Sequence, residues 1–291
     1  MSVNSGNVFN IFRVKDRKLS VKEAAQGIMS ESSLRRFEQG QTSPYLETVL
    51  PLLARLRIAP SEFFAKKNGF APTQMSAFYS SVADAYNRRD FISLKSMLSS
   101  LKAAKPMEPD SLPFQRLDSI TIEAALGMLL TKPIPDGDIN FAMTYFKSQR
   151  NWLFYDLNML RYLPTFLSRQ DLVWLAHNIF NRASAYITVL NNADLVTDIV
   201  LNVGTALIAS AKEYDEAANL LELSHQNSVL RGKLEFSIHR RVLEGAIEFH
   251  QGNPEEAEKI HTFVLSTLKS FDAVWDIQQV EALWPLLTKK D

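Results

Sequence analysis

The sequence predicts an all-α protein in two parts: a bundle of five short helices over residues 1–66, then a right-handed stack of helix pairs over residues 72–291. Three observations predict it. Glycine supplies only 10 of 291 residues, and runs rich in Val, Ile and Thr with period two are absent, so a chain of many short strands would be hard to build. Long amphipathic segments alternate with short polar breaks along most of the length. Charge is divided as well: residues 1–70 hold 11 Lys/Arg against 6 Asp/Glu and residues 71–291 hold 21 against 26, a head at +5 and a body at −5. That split suits a head that meets nucleic acid on a body that does not.

In the head, Val8 to Arg17 can form a first helix with Phe9 and Phe12 on its buried face. Ser20-x-x-Glu23 is a capping-box signature that starts a second helix at Val21. Gly27 loosens the end of that helix and Ser30 is placed to cap a third. Leu34 and Phe37 point inward from the third helix, and Gly40 closes it as a C-terminal glycine does. Leu46 through Leu56 gives a fourth helix, and Pro60-Ser61-Glu62 opens a fifth that ends at Phe63-Phe64. Residues 67–71 read as a linker, and Pro72 sits where the next helix begins.

The helix–turn–helix so formed bares one polar, basic helix of a size that fits the DNA major groove. Arg36 can donate two parallel hydrogen bonds to guanine O6 and N7. Ser32 and Ser33, near the helix N-terminus, can reach base edges or phosphate. Arg35, Gln39, Gln41, Thr42 and Ser43 suit phosphate contacts, which fix register without reading sequence.

In the body, breaks are expected near Arg88–Asp90, Lys105–Asp110, Lys132–Asp138, Ser168–Asp171, Asn191–Asp194, Tyr214–Asp215, Gly232, Gly252–Pro254 and Ser270–Asp272. Gly204-Thr-Ala-Leu with Lys212-Glu-Tyr-Asp-Glu-Ala217 is echoed by Gly245-Ala-Ile-Glu with Gln251-Gly-Asn-Pro-Glu-Glu-Ala257. A small residue, a turn and an acidic helix start are how paired helices of tetratricopeptide type pack closely, here with a longer period. Such pairs stack into a curved array, about five of them at roughly 40 residues each. A concave face that binds an extended peptide needs polar side chains within apolar helices. Asn158, Asn178, Asn181 and Asn202 are candidates because Asn amides pair with peptide groups in both directions, and Arg150 and Asn151 precede Trp152. For each, an internal hydrogen bond is at least as good a reading.

Several classes are excluded or disfavoured. There is no cysteine, which removes disulfides and thiolate metal sites and favours a reducing compartment. The five histidines show no metal-ligand spacing, and phosphate-binding, nucleophile-elbow and dinucleotide motifs are missing, so neither an enzyme nor a cofactor is expected. The first residues have no apolar core of a signal peptide, and no apolar run is expected to approach the roughly 18–20 residues of a membrane span. The expectation is a cytoplasmic protein without a membrane partner.

SESSLRRFEQGQ, the following LLARLRIAPSEFF and Trp152-L-F-Tyr155-D-L-N-M-L together resemble the Rgg/MutR family of bacterial transcription regulators, within the peptide-pheromone receptors. The resemblance runs nearly the whole length. Ala25 to Leu34 is one residue shorter than the commonest helix-turn-helix consensus, as that family tends to show. The resemblance implies a homodimer that binds a double-stranded DNA operator and takes a short hydrophobic signalling peptide on the concave face. It implies that Arg36 reads bases, with Ser32 and Arg35 nearby, and that Arg150 and Asn151 lie where ligand-facing side chains occur. Some members bridge their heads through a cysteine; Leu46 aligns with it here, which implies an apolar dimer contact instead of a redox lock. The first helix is also less basic than is usual there. Two other classes share these features: a protein-docking scaffold with an accessory DNA-binding head, and a regulator that senses a non-peptide small molecule.

Overall fold

Side-chain caps set the helix boundaries at the N-terminal end. In the computed structural model, which describes residues 4–104 and 112–289, α1 (Ser5–Ile11) begins where the Asn4 side chain accepts a hydrogen bond from the Gly6 N–H at 2.8 Å. It runs on through a π turn at Phe12–Asp16. The helix therefore starts three residues before Val8, and its buried face is Val8, Phe9 and Arg13, while Phe12 is half-buried beneath Lys66. The wider π turn rotates Arg13 inward, a shift that a 3.6-residue period does not foresee. α2 (Val21–Ala25) carries both halves of the capping box on Ser20 and Glu23. α3 (Glu31–Glu38) is capped by Ser30 and stopped at Gly40, whose φ of 74° opens the way for Gln41 N–H to bond Arg36 O at 2.8 Å.

α4 (Leu46–Arg55) and α5 (Pro60–Lys67) close the bundle over Leu34, Phe37, Leu52, Leu53 and Phe63. α5 extends three residues past Phe64, because Lys66 and Lys67 suit a helix C-terminus and Lys66 pairs with Asp16 at 3.5 Å. The next helix, α6 (Gln74–Asn87), begins after Pro72 rather than at it: the Thr73 hydroxyl accepts from the Ser76 N–H and so serves as the cap. The chain divides into two compact units, Met1–Ser80 and Ser81–Asp291.

The second unit continues with α7 (Phe91–Ala103), α8 (Phe114–Leu130), α9 (Asp136–Ser148), α10 (Phe154–Leu160), α11 (Arg169–Ala183), α12 (Asn192–Ala206) and α13 (Tyr214–Gln226). It ends with α14 (Ser228–Arg231), α15 (Leu234–His250), α16 (Pro254–Ser270) and α17 (Val274–Leu287). The described residues contain no strand. Helices that follow one another in the chain pack together, α7 with α8, α8 with α9, α11 with α12, α12 with α13 and α15 with α16, with α17 against α15 and α16: a solenoid of tetratricopeptide-like helices. The expected break at Lys105–Asp110 lies outside the described residues.

Close packing within the array rests on small residues. A Cβ at Gly204 would stand 2.9 Å from Leu243 Cδ1, and one at Gly245 would stand 3.1 Å from Ile260 Cγ2. The two glycines that carry the internal echo in the sequence are thus points of close approach between helices, α12 with α15 at Gly204 and α15 with α16 at Gly245. α12 is the central helix, packed against α10, α11, α13 and α15. That explains one correction to the sequence reading. Asn192–Ala211 forms a 20-residue helix long and apolar enough to cross a membrane, but 56% of its apolar window is buried inside the array. A core helix packed against several neighbours can have the same composition as a membrane span.

Candidate DNA-reading helix and ligand groove

α3 is anchored by one face and bare on the other. Leu34 and Phe37 are 0% and 3% exposed. Ser32, Arg35, Arg36 and Gln39 recur at helical spacing on the opposite face and are all exposed, and Ser33 is half-exposed. Glu38 fixes the roll of the helix. Its carboxylate is buried and accepts from Arg13 Nε at 2.6 Å, Arg13 Nη2 at 2.7 Å and Asn10 Nδ2 at 2.9 Å. Arg13 Nη1 also donates to Leu19 O at 2.7 Å. A bidentate pair of this kind tolerates little rotation, so the side chains opposite Glu38 are held outward.

At the start of α3 the Ser30 hydroxyl accepts the Ser33 N–H at 3.1 Å and lies 3.0 Å from Ser32 Oγ. Arg35 reaches Glu31 only at 4.0 Å between two exposed side chains, so it is easily recruited elsewhere. Gln41 and Ser43 are exposed beyond the helix and Thr42 is half-buried. Leu46 opens α4 at 55% exposed, beside Tyr45 at 84%.

In the second unit a hollow is lined by residues from several helices. Its largest part, about 520 Å³, is lined by Tyr86 and Arg89 near the end of α6, Met128 and Leu129 of α8, Arg161 and Tyr162 just after α10, Asp198, Leu201 and Asn202 of α12, and Trp275 and Gln279 of α17. Two further hollows of about 410 and 220 Å³ share Asp198 and Leu201 with it and add Glu235 and His239 of α15. The three form one groove.

The residues just after α10 supply part of the polar wall. Asp156 caps the N-terminus of α10, accepting from Leu153 N–H and from the Tyr145 hydroxyl, each at 2.8 Å, and burial raises that carboxyl above its ordinary value. The helix then ends so that Arg161 and Tyr162 enter the groove. Arg161 pairs with Asp198 at 2.8 Å, and Asn202 Nδ2 donates to Arg161 O at 2.8 Å. Burial raises the Asp198 carboxyl, with Arg161 pulling the other way. Tyr162 packs edge-on against Tyr86 at 5.3 Å. Burial pushes its phenol up to about 12, and its hydroxyl has no hydrogen-bond partner among the described residues.

Of the six residues singled out for ligand contact, Asn202 lines the groove. Asn158 is buried and donates to Phe154 O at 2.8 Å; Asn178 donates to Trp174 O at 2.8 Å and Asn181 to His177 O at 3.2 Å, all one helical turn back. Arg150 is exposed and Asn151 half-buried between α9 and α10. Trp152 is fully buried, its backbone N–H donating to Arg182 O at 2.8 Å, its indole N–H donating to Phe146 O at 3.4 Å and its ring facing Trp174 and the Arg182 guanidinium. Sequence reasoning missed Arg161, Tyr162, Asp198, Glu235 and His239. The only signal was ionisable or phenolic residues on the polar side of otherwise apolar helices, which most solvated faces share.

An exposed basic helix in an N-terminal bundle, joined to a helical-repeat unit with a groove lined by several of its helices, defines a class: a helix-turn-helix protein with a ligand-sized hollow in its repeat. Residues 83–275 match the family model described as the C-terminal domain of the HTH-type transcriptional regulator Rgg, and the chain belongs to the Rgg family of transcriptional regulators. Solved structures share the fold over nearly the whole length. A Listeria monocytogenes EGD-e protein assigned as a transcriptional regulator superposes with a TM-score of 0.78 at 17% identity, covering 97% of both chains. The Streptococcus dysgalactiae SHP pheromone receptor Rgg2 gives 0.77 at 19% identity, covering 96% of this chain and 98% of that one. A bacterial peptide pheromone/receptor complex gives 0.69 at 12% identity, with 99% of each chain covered.

Proposed function

We propose that the protein is a homodimeric, sequence-specific DNA-binding regulator, cytoplasmic and not an enzyme, whose repeat unit senses a short hydrophobic peptide. The observation that carries the reading is the groove, three contiguous hollows with a polar wall and apolar stretches at Met128, Leu129 and Leu201. Its mixture of polar groups and apolar side chains suits a short peptide, which carries both. The pheromone receptors among the structural neighbours support this assignment of ligand class. Arg161, Asp198 and Asn202 then offer hydrogen bonds to peptide groups, and the buried Tyr162 hydroxyl gains a partner if the ligand displaces its cover.

In this reading Arg36 contacts base edges, and Ser32, Ser33, Arg35, Gln39, Gln41, Thr42 and Ser43 contact bases or phosphate. Paired heads require half-sites about 34 Å apart or a multiple of it, with Leu46 supplying an apolar contact between them. Arg36→Ala is expected to cost roughly 1–3 kcal/mol at the cognate operator. A gel-shift titration checks it, and near-normal operator binding removes Arg36 from the reading role. Calorimetry with short hydrophobic peptides tests the groove: saturable binding that Asn202→Ala or Arg161→Ala weakens supports the peptide reading. No heat with any such peptide favours the docking-scaffold or small-molecule reading.

A further inference from the structure

We propose that Glu235, His239 and Asp276 form a binding site for a first-row divalent metal ion, bridging α15 and α17 at the edge of the groove. Glu235 and His239 are four residues apart on one helix, so their side chains lie one above the other on the same face, the spacing by which helices chelate metals. Asp276, in the first turn of α17, faces them. One ligand atom from each of the three lies within 4.8 Å of the other two. His239 Nε2 and Asp276 Oδ1 are already 3.0 Å apart, near the roughly 3–3.4 Å between donors around an ion bound at about 2.1 Å. Only the exposed Glu235 side chain has to swing inward.

The charges around the cluster point the same way. Glu235 has no ion-pair partner among the described residues. Three cations of this region are paired with other carboxylates: Lys233 with Asp194, Arg161 with Asp198 and Arg240 with Glu244. Asp198 lines the same hollows as Glu235 and His239 and adds a further carboxylate there. The two carboxylates of the cluster carry negative charge that a divalent cation cancels. By contrast His177 and Glu216, 2.7 Å apart, are a histidine–carboxylate pair with no third donor among the described residues. One nitrogen and two oxygen donors suit Zn²⁺, Mn²⁺, Co²⁺ or Ni²⁺, and three protein ligands leave coordination positions open toward the groove. On binding, the ion takes the place of the Nε2 proton. That proton goes to solvent from a protonated ring, or the neutral ring adopts its Nδ1-protonated tautomer.

The test uses the full chain, stripped with a chelator and titrated with ZnCl₂ and CoCl₂, with neither peptide nor DNA present, so its outcome is separate from the peptide reading. Calorimetry should show one ion per chain, Co²⁺ should develop visible absorption, and both ions should raise the melting temperature. Glu235→Gln, His239→Ala and Asp276→Asn should each weaken affinity by about tenfold or more, since even the loss of a residue that only supports a ligand costs 10–100-fold. Glu235 is exposed, so Glu235→Gln keeps the fold and remains informative if the other two variants do not. His177→Ala should bind as the parent does. No saturable binding, or unchanged affinity in Glu235→Gln and His239→Ala, overturns the proposal.

Discussion

Gly6 is buried where α1 meets α3, and a Cβ there would stand 1.7 Å from the Phe37 carbonyl oxygen. A backbone atom cannot swing aside as a side-chain tip can. Gly6→Ala is therefore expected to destabilise the head by about 3 kcal/mol or more, and thermal unfolding should show it; an unchanged melting temperature would mean the two helices are not in such contact. Asp198 makes a prediction with the opposite character. Its folded carboxyl is raised, chiefly by burial, so the folded state binds the proton more tightly than the unfolded chain. Protonation favours folding, and this group's contribution improves as pH falls from neutral through its folded value, levelling off below the ordinary 3.8. Relative to Asp198→Asn, which cannot titrate, the parent should gain stability between pH 7 and pH 4. The side chain is partly exposed, so the gain is small. A difference in melting temperature that stays flat or shrinks with acid counts against the burial of this carboxyl.

Elements were legible where local chemistry decides them and obscure where distant residues do. α3 was readable because its cap, its inward Leu34 and Phe37 and its closing glycine all lie within a dozen residues, and each acts locally. Ser30→Ala removes a hydrogen bond to the Ser33 N–H and is expected to cost about 1 kcal/mol. Denaturant titration reads that loss, and Ser30→Asp, which can still cap, should restore most of it. The Arg13–Glu38 pair was not readable: its partners sit on different helices, and the π turn that brings Arg13 inward leaves no mark in the apolar period. The groove was hidden for the same reason. Arg161 and Asp198 meet only because α10 ends where α12 passes, whereas Asn158, Asn178 and Asn181 spend their amides on carbonyls of their own helices. The echo at Gly204 and Gly245 was legible because close helix packing demands a small residue at each repeat.

On the scale of the whole molecule, a regulator of the proposed kind works only if the peptide in the repeat unit and the operator on the head favour the same arrangement of the dimer. A peptide that binds two arrangements equally shifts nothing, however tightly it is held. If occupancy of the groove changes operator affinity by some factor, operator occupancy must change peptide affinity by the same factor, typically about 5–150-fold in coupled systems. Calorimetric titration of peptide into the free protein and into its operator complex measures one side, and gel-shift titration with and without saturating peptide measures the other. Arg36→Ala should lower operator affinity in both gel-shift series while leaving peptide affinity for the free protein unchanged, because Arg36 is on the head's exposed face and the groove is lined by residues of the second unit. Equal factors from the two titrations support a peptide-sensing regulator. Peptide binding with a factor of one on both sides would leave the repeat unit a docking platform and detach the groove from transcriptional control.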